Sequence, residues 1–102
     1  MAEWRNVIAV SELEPGWVTP ATLGTRMLAV FDTKEGIFVT TALCSHAGAD
    51  LCHGYFDGTR IECPLHQGLF DVRTGKATGH PASRPIKAFK TRVTDGYVQI
   101  HV

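Results

Sequence analysis

Short apolar runs separated by turn residues organise most of the chain. Residues 26–32 (RMLAVFD) and 37–43 (IFVTTAL) are rich in β-branched and aromatic side chains and flank the turn TKEG, which predicts an antiparallel hairpin. Two shorter runs, RIEC at 60–63 and LFDV at 69–72, follow Asp57-Gly58 and precede Thr74-Gly75, dipeptides that favour tight turns. FKTRV (89–93) and YVQIHV (97–102) flank Asp95-Gly96 and predict another hairpin, with Val98, Ile100 and Val102 on one face and His101 turned away from the core. Ile86 and Ala88 fall out of step with Phe89, Thr91 and Val93, so a β-bulge is expected near 87–89. No stretch of ten or more residues keeps a helical period, and there is no internal repeat, low-complexity segment or linker. The expected fold class is all-β, a small antiparallel sandwich or barrel.

Length and composition narrow this further. A chain of 102 residues, 44% hydrophobic and 20% charged, suits one domain with a modest core. No run approaches a membrane span, and the opening MAEWRNVIAV lacks the layout of a secretory signal, so the expected compartment is the cytoplasm. Thiols stay reduced there, and an odd count of three cysteines fits metal binding better than disulfides. Zero net charge gives no global case for nucleic acid or anionic membranes as partners. The charge is nevertheless uneven: residues 73–102 hold Arg73, Lys76, Arg84, Lys87, Lys90 and Arg92 against Asp95 alone. Two readings stand, solvated strand faces or a polarised docking surface.

The segment CSHAGADLCHGYFDGTRIECPLH, residues 44–66, holds all three cysteines and three of the five histidines. Cys44-Ser45-His46 and Cys63-Pro64-Leu65-His66 each place a sulfur and an imidazole on one tight loop, and sixteen residues separate His46 from Cys63. Two cysteines and two histidines can fill four coordination positions. Structural zinc uses the same residue types but pairs Cys with Cys and His with His along the chain. One Cys and one His per loop suits a binuclear centre in which one iron takes both sulfurs and the other both imidazoles.

Through C-x-H and C-x(2)-H at this spacing the chain resembles the Rieske 2Fe-2S family, and HQGLFDVRTGKATGHPASRPIKAF is similar to the region after the second ligand pair in ferredoxins of bacterial aromatic-ring oxygenases. The resemblance implies a single domain over 1–102, with a two-loop cluster-binding portion at about 43–72 on the sandwich or barrel base. It implies one 2Fe-2S cluster, with Cys44 and Cys63 on one iron and His46 and His66 on the other, and makes GHPASRP a covering loop. It further implies a one-electron carrier, not an enzyme, between an NAD(P)H-dependent flavoprotein ferredoxin reductase and a terminal aromatic-ring oxygenase. The alternatives are a Rieske-type small subunit of a reductase such as nitrite reductase, and a structural zinc module.

With two thiolates and two neutral imidazoles, the oxidised site is neutral, so adding an electron is easier than at an all-thiolate site; the class spans about −150 to +300 mV. Rieske proteins of respiratory and photosynthetic complexes have a disulfide bracing the loops, and Ser and Tyr hydroxyls near the cluster. The matching positions in this chain are Ala49 and Leu65, and Gly68 and Phe70, so the low end of the range is expected. Cys52 and His53, with no residue between them, fit neither ligand pattern and are expected to be non-ligands, Cys52 as a small buried hydrophobe or idle thiol. His80 is expected on the surface of the covering loop, and Trp4 and Trp17 in core or edge packing. Asp50, Asp57, Glu62 and Asp71 share no spacing that suggests a carboxylate site, and no nucleophile–base pair or phosphate-cradling loop is present.

Overall fold

Leu28, Ala29, Val30 and Phe31 are all fully buried, although neighbours along a strand point to opposite faces. Both faces of that strand are therefore covered, and the rest of the molecule is arranged around it. The computed structural model describes residues 3–45, 48–65, 67–79 and 84–102. In chain order its strands are β1 (Trp4–Ala9), β2 (Val18–Leu23), β3 (Arg26–Thr33), β4 (Gly36–Thr41), β5 (Tyr55–Phe56), β6 (Arg60–Glu62), β7 (Leu69–Asp71), β8 (Ala77–Gly79), β9 (Ala88–Phe89), β10 (Thr91–Thr94) and β11 (Tyr97–His101). They form three antiparallel sheets, ordered β1-β11-β10, β2-β3-β4-β9 and β5-β6-β7-β8.

The middle sheet separates two cores. Leu28 and Val30 of β3 pack with Leu13, Val39, Phe89, Val98 and Ile100 under the β1-β11-β10 sheet. Ala29 and Phe31, on the other face, pack with Leu51, Phe56, Ile61, Phe70, Val72 and Ile86 and with the sulfur-bearing Cys44 and Cys63. Phe31 meets Phe56 at 5.0 Å between ring centroids, which ties the base of the molecule to the small sheet.

The expected hairpin at 26–43 forms, from β3 and β4 with Thr33 opposite Gly36, but the second strand ends at Thr41. The C-terminal hairpin also forms, with Val93 opposite Val98 and with Val98 and Ile100 fully buried. The irregularity expected at 87–89 is a change of sheet: Ala88 and Phe89 pair with β4, and from Thr91 onward the chain pairs with β11. The phase slip in the apolar pattern marks the corner where one strand leaves one sheet for another. His101 lies opposite Trp4, with its ring tilted against the indole at 5.1 Å, on the face away from Ile100. Strand β2 carries Pro20, which is tolerated because β2 is the edge of its sheet. No described helix is long and apolar enough to cross a membrane.

Candidate metal centre

Two hairpin tips of equal length hold the buried sulfurs. An isolated bridge joins Leu43 to Asp50, and Glu62 pairs with Leu69, which leaves the six-residue loops 44–49 and 63–68. Each opens on its cysteine. The Cys44 N–H donates to the Ala49 carbonyl at 2.8 Å and the Cys63 N–H to the Gly68 carbonyl at 2.7 Å, so the first and last residues close both loops alike. The fifth residue is left-handed in both, Gly48 at φ 69° and Gln67 at φ 59°. Glycine adopts that conformation freely; a glutamine there carries about 1 kcal/mol of strain that the surrounding loop must hold.

The strap between the loops fixes their separation. The Leu51 N–H donates to the Ala42 carbonyl at 2.7 Å on the first-loop side, and a Cβ on Gly54 would fall 1.9 Å from the Glu62 carbonyl oxygen on the second. Only glycine lets the two backbones approach that closely. Asp50 caps the short 3-10 turn Leu51–His53 by accepting from the Cys52 N–H at 2.9 Å. Cys52 and His53 thus belong to the strap. No group of three or more described His, Cys, Asp or Glu side chains is placed to hold a metal ion, so Cys52 does not join the other two sulfurs. Burial first, then the neighbouring Asp50 carboxylate, push the Cys52 thiol up to about 12.

Cys44 and Cys63 are 3% and 1% exposed and unbridged. Both belong to one buried cluster, near enough for Cys44 to shift the Cys63 thiol. Burial raises the Cys63 thiol above its ordinary range, the nearby Leu65 backbone N–H opposes this, and proximity to Cys44 adds to it. Two converging sulfurs in a dry pocket, where anionic sulfur is disfavoured without a cation, suit a thiolate-ligated metal centre. His46 and His66 lie outside the described residues, as do His80 and most of the covering segment. The described end of that segment is tied to the first loop, where the Ser45 hydroxyl donates to the Arg84 carbonyl.

At the two positions where a disulfide brace was weighed, the Ala49 carbonyl closes the first loop and Leu65 is 51% exposed. Of the hydroxyl positions, Gly68 closes the second loop through its carbonyl, and Phe70 is fully buried in the core that holds both sulfurs. Trp17 makes an edge contact with Tyr55 at 6.1 Å, and Trp4 lies under the Arg92 guanidinium at 4.3 Å, so neither lines the centre.

The family model described as the Rieske [2Fe-2S] domain matches residues 3–90. The anthranilate 1,2-dioxygenase ferredoxin subunit of Burkholderia cepacia is 36% identical over 102 residues, covering 100% of this chain and 94% of the relative. Among solved structures, the Sphingomonas yanoikuyae B1 ferredoxin superposes with a TM-score of 0.89 at 37% identity, over 96% of this chain and 97% of that one. A ferredoxin in a complex of reduced oxygenase and oxidised ferredoxin in carbazole 1,9a-dioxygenase gives 0.85 at 35% identity, over 95% and 91%. With a family model matched over most of its length and two loops that present buried cysteines in a fold shared with solved ferredoxins, the chain belongs to the Rieske [2Fe-2S] family, whose cofactor is one 2Fe-2S cluster.

Proposed function

We propose that the chain is a one-electron carrier that takes electrons from a flavoprotein ferredoxin reductase oxidising NAD(P)H and delivers them to the cluster of a terminal aromatic-ring oxygenase. The observation that carries this reading is the pair of buried cysteines in one core cluster, each opening an equivalent six-residue loop. Cys44 and Cys63 would hold the cluster through sulfur, and His46 and His66 through imidazole nitrogens. The bound cluster supplies reversible one-electron chemistry. The chain's own contribution is to keep the sulfurs dry and to set loop separation through the 50–54 strap. Relatives across the full length are ferredoxin components of dioxygenase systems, which supports a carrier over a catalyst and an oxygenase as the electron acceptor. The reading treats residues 1–102 as one domain with 43–72 as its cluster-binding portion, acting in the cytoplasm.

Metal analysis with spectroscopy tests it. Purified protein is expected to be brown-red, to contain two irons and two labile sulfides per chain, and to give a rhombic paramagnetic signal when reduced. Cys44→Ser, His46→Ala, Cys63→Ser and His66→Ala are each expected to lose that signal, and His53→Ala to keep it. Nicotinamide-dependent reduction through a flavoprotein reductase, followed by reoxidation by a terminal oxygenase, completes the test. A colourless protein with stoichiometric zinc overturns the reading.

A further inference from the structure

Ion pairs join Arg5 to Glu3, Arg60 to Asp57, and Arg73 to Glu35 and Asp71. Every Asp and Glu of the chain lies among the described residues, and none comes within ion-pair distance of Arg26 or Lys87. These two cations are instead brought to one ring. The Arg26 guanidinium is 5.5 Å and the Lys87 ammonium 5.1 Å from the centroid of Phe89, which β9 pins opposite Val39. Cation–π attraction orients each cation but leaves its charge uncancelled. Their two uncancelled positive charges make the spot attractive to anions.

This spot lies at the end of the middle sheet from which the first cysteine loop leaves. Arg26 lines a shallow depression of about 420 Å³ with Met27 and Leu43, which are 45% and 49% exposed, and Leu43 immediately precedes Cys44. The Lys87 carbonyl accepts from the Thr41 N–H at 2.9 Å, which fixes it beside the strand that runs into the first cysteine loop. The result is an apolar floor with an unneutralised basic rim beside the strand end that leads into the first cysteine loop. The acidic Asp32, Glu35 and Asp57 line a different cavity.

We propose that the Arg26–Lys87–Leu43 edge is the docking surface for a redox partner protein that presents carboxylates around an apolar contact. This rests on the reading of the chain as an electron carrier. Because net charge is zero, a general charge effect on association is small, and any strong salt dependence must come from local charge within about a Debye length, roughly 8 Å at physiological salt.

The reduced holoprotein is oxidised in a stopped-flow instrument by ferricyanide, an anion, and by hexaamminecobalt(III), a cation, across increasing ionic strength, with and without poly-L-glutamate as the carboxylate-bearing polypeptide. Ferricyanide oxidation of the wild type is expected to slow with salt and with poly-L-glutamate. In the Arg26→Glu/Lys87→Glu double variant it is expected to fall about tenfold and to lose both sensitivities, while oxidation by the cobalt complex rises. If that variant does not fold, Arg26→Gln/Lys87→Gln is expected to give a smaller shift in the same directions. Rates for both oxidants within twofold of wild type, with poly-L-glutamate equally effective on both proteins, overturn the docking surface while an intact rhombic signal leaves the carrier reading standing. A wild type with no 2Fe-2S spectrum removes the carrier reading, and the docking surface with it.

Discussion

Cys52 offers a sharp measurement because its sequence position, between two ligand loops, invites assignment as a ligand, and the structure gives it a different chemistry. Its thiol is pushed from 9.0 to about 12, by burial first and then by Asp50. At about pH 8 a thiol titrating at 9.0 is roughly one-tenth thiolate, whereas one titrating near 12 is roughly one ten-thousandth, so alkylation should slow about a thousandfold. Iodoacetamide labelling of the holoprotein, read by mass spectrometry, is therefore expected to be about a thousandfold slower than labelling of an unstructured cysteine peptide. Asp50→Asn, which keeps an oxygen to accept from the Cys52 N–H but removes the carboxylate charge, should label faster than wild type. The same shift predicts an alkaline limb in stability. Because the folded state keeps a proton that the unfolded chain releases, the stabilisation is whole below about 9 and is lost as pH rises toward 12. Cys52→Ala should lack this limb and retain a full complement of iron. Labelling within tenfold of the free peptide would refute the burial argument, and loss of the cluster in Cys52→Ala would refute the non-ligand assignment.

Other positions give predictions of different kinds. Gly75 has φ 81° and a Cβ there would lie 2.0 Å from the Ile86 carbonyl oxygen, so Gly75→Ala is expected to destabilise by about 3 kcal/mol or more, read by denaturant unfolding. Phe70→Tyr places a hydroxyl in the dry core beside both cysteines; donation to a ligand sulfur favours the reduced state by about 1 kcal/mol, so the midpoint should rise by roughly 45 mV from a value at the low end of the family range. An unchanged midpoint in redox potentiometry counts against that donor geometry, and a wild-type midpoint above about +100 mV counts against the low-potential expectation itself. The Asp57 carboxylate is held below its ordinary range chiefly by the Thr59 N–H, with Arg60 helping, so its stabilisation is present above the usual carboxylate value and lost as pH falls through the lowered one. Acid unfolding of Asp57→Asn should show a shallower loss than wild type over that window.

The legible parts of the fold were the strands whose neighbours along the chain supply their partners. The hairpins at 26–41 and 91–101 have strong apolar content and short turns, so local pattern sufficed. Strands β1 and β2 were not legible: β1 has a register shift between Asn6 and Ile8 and pairs with the far end of the chain, and β2 carries a proline that only its edge position excuses. The two-residue β5 and three-residue β8 are too short to show a period. The cysteines of the candidate site stood out by residue type and spacing alone. The strap did not stand out, since Gly54 announces no close contact until the Glu62 carbonyl is seen against it. The basic edge was half visible: six C-terminal bases suggested a polarised surface, but Arg26, from a distant strand, joins Lys87 on Phe89, while Arg73 is neutralised by Glu35 and Asp71.

The equality of the two cysteine loops bears on how an electron can enter and leave. Both sulfurs sit at the first position of a six-residue loop and face inward, almost without solvent contact. The difference between C-x-H and C-x(2)-H then falls wholly on the histidines, at the third and fourth loop positions, so no backbone symmetry that equates the cysteines can also equate them. Approach from the sulfur side is closed by the core of Leu51, Ile61 and Phe70. Approach over the loop tips is flanked by Leu43 and Leu65, about half exposed, so contact there removes apolar surface from water without stripping charges, about 25 cal/mol for each Å² buried. A carrier must release each partner after one electron, and a small apolar contact guided by a basic rim meets that need: the rim speeds encounter while the limited area keeps the complex short-lived.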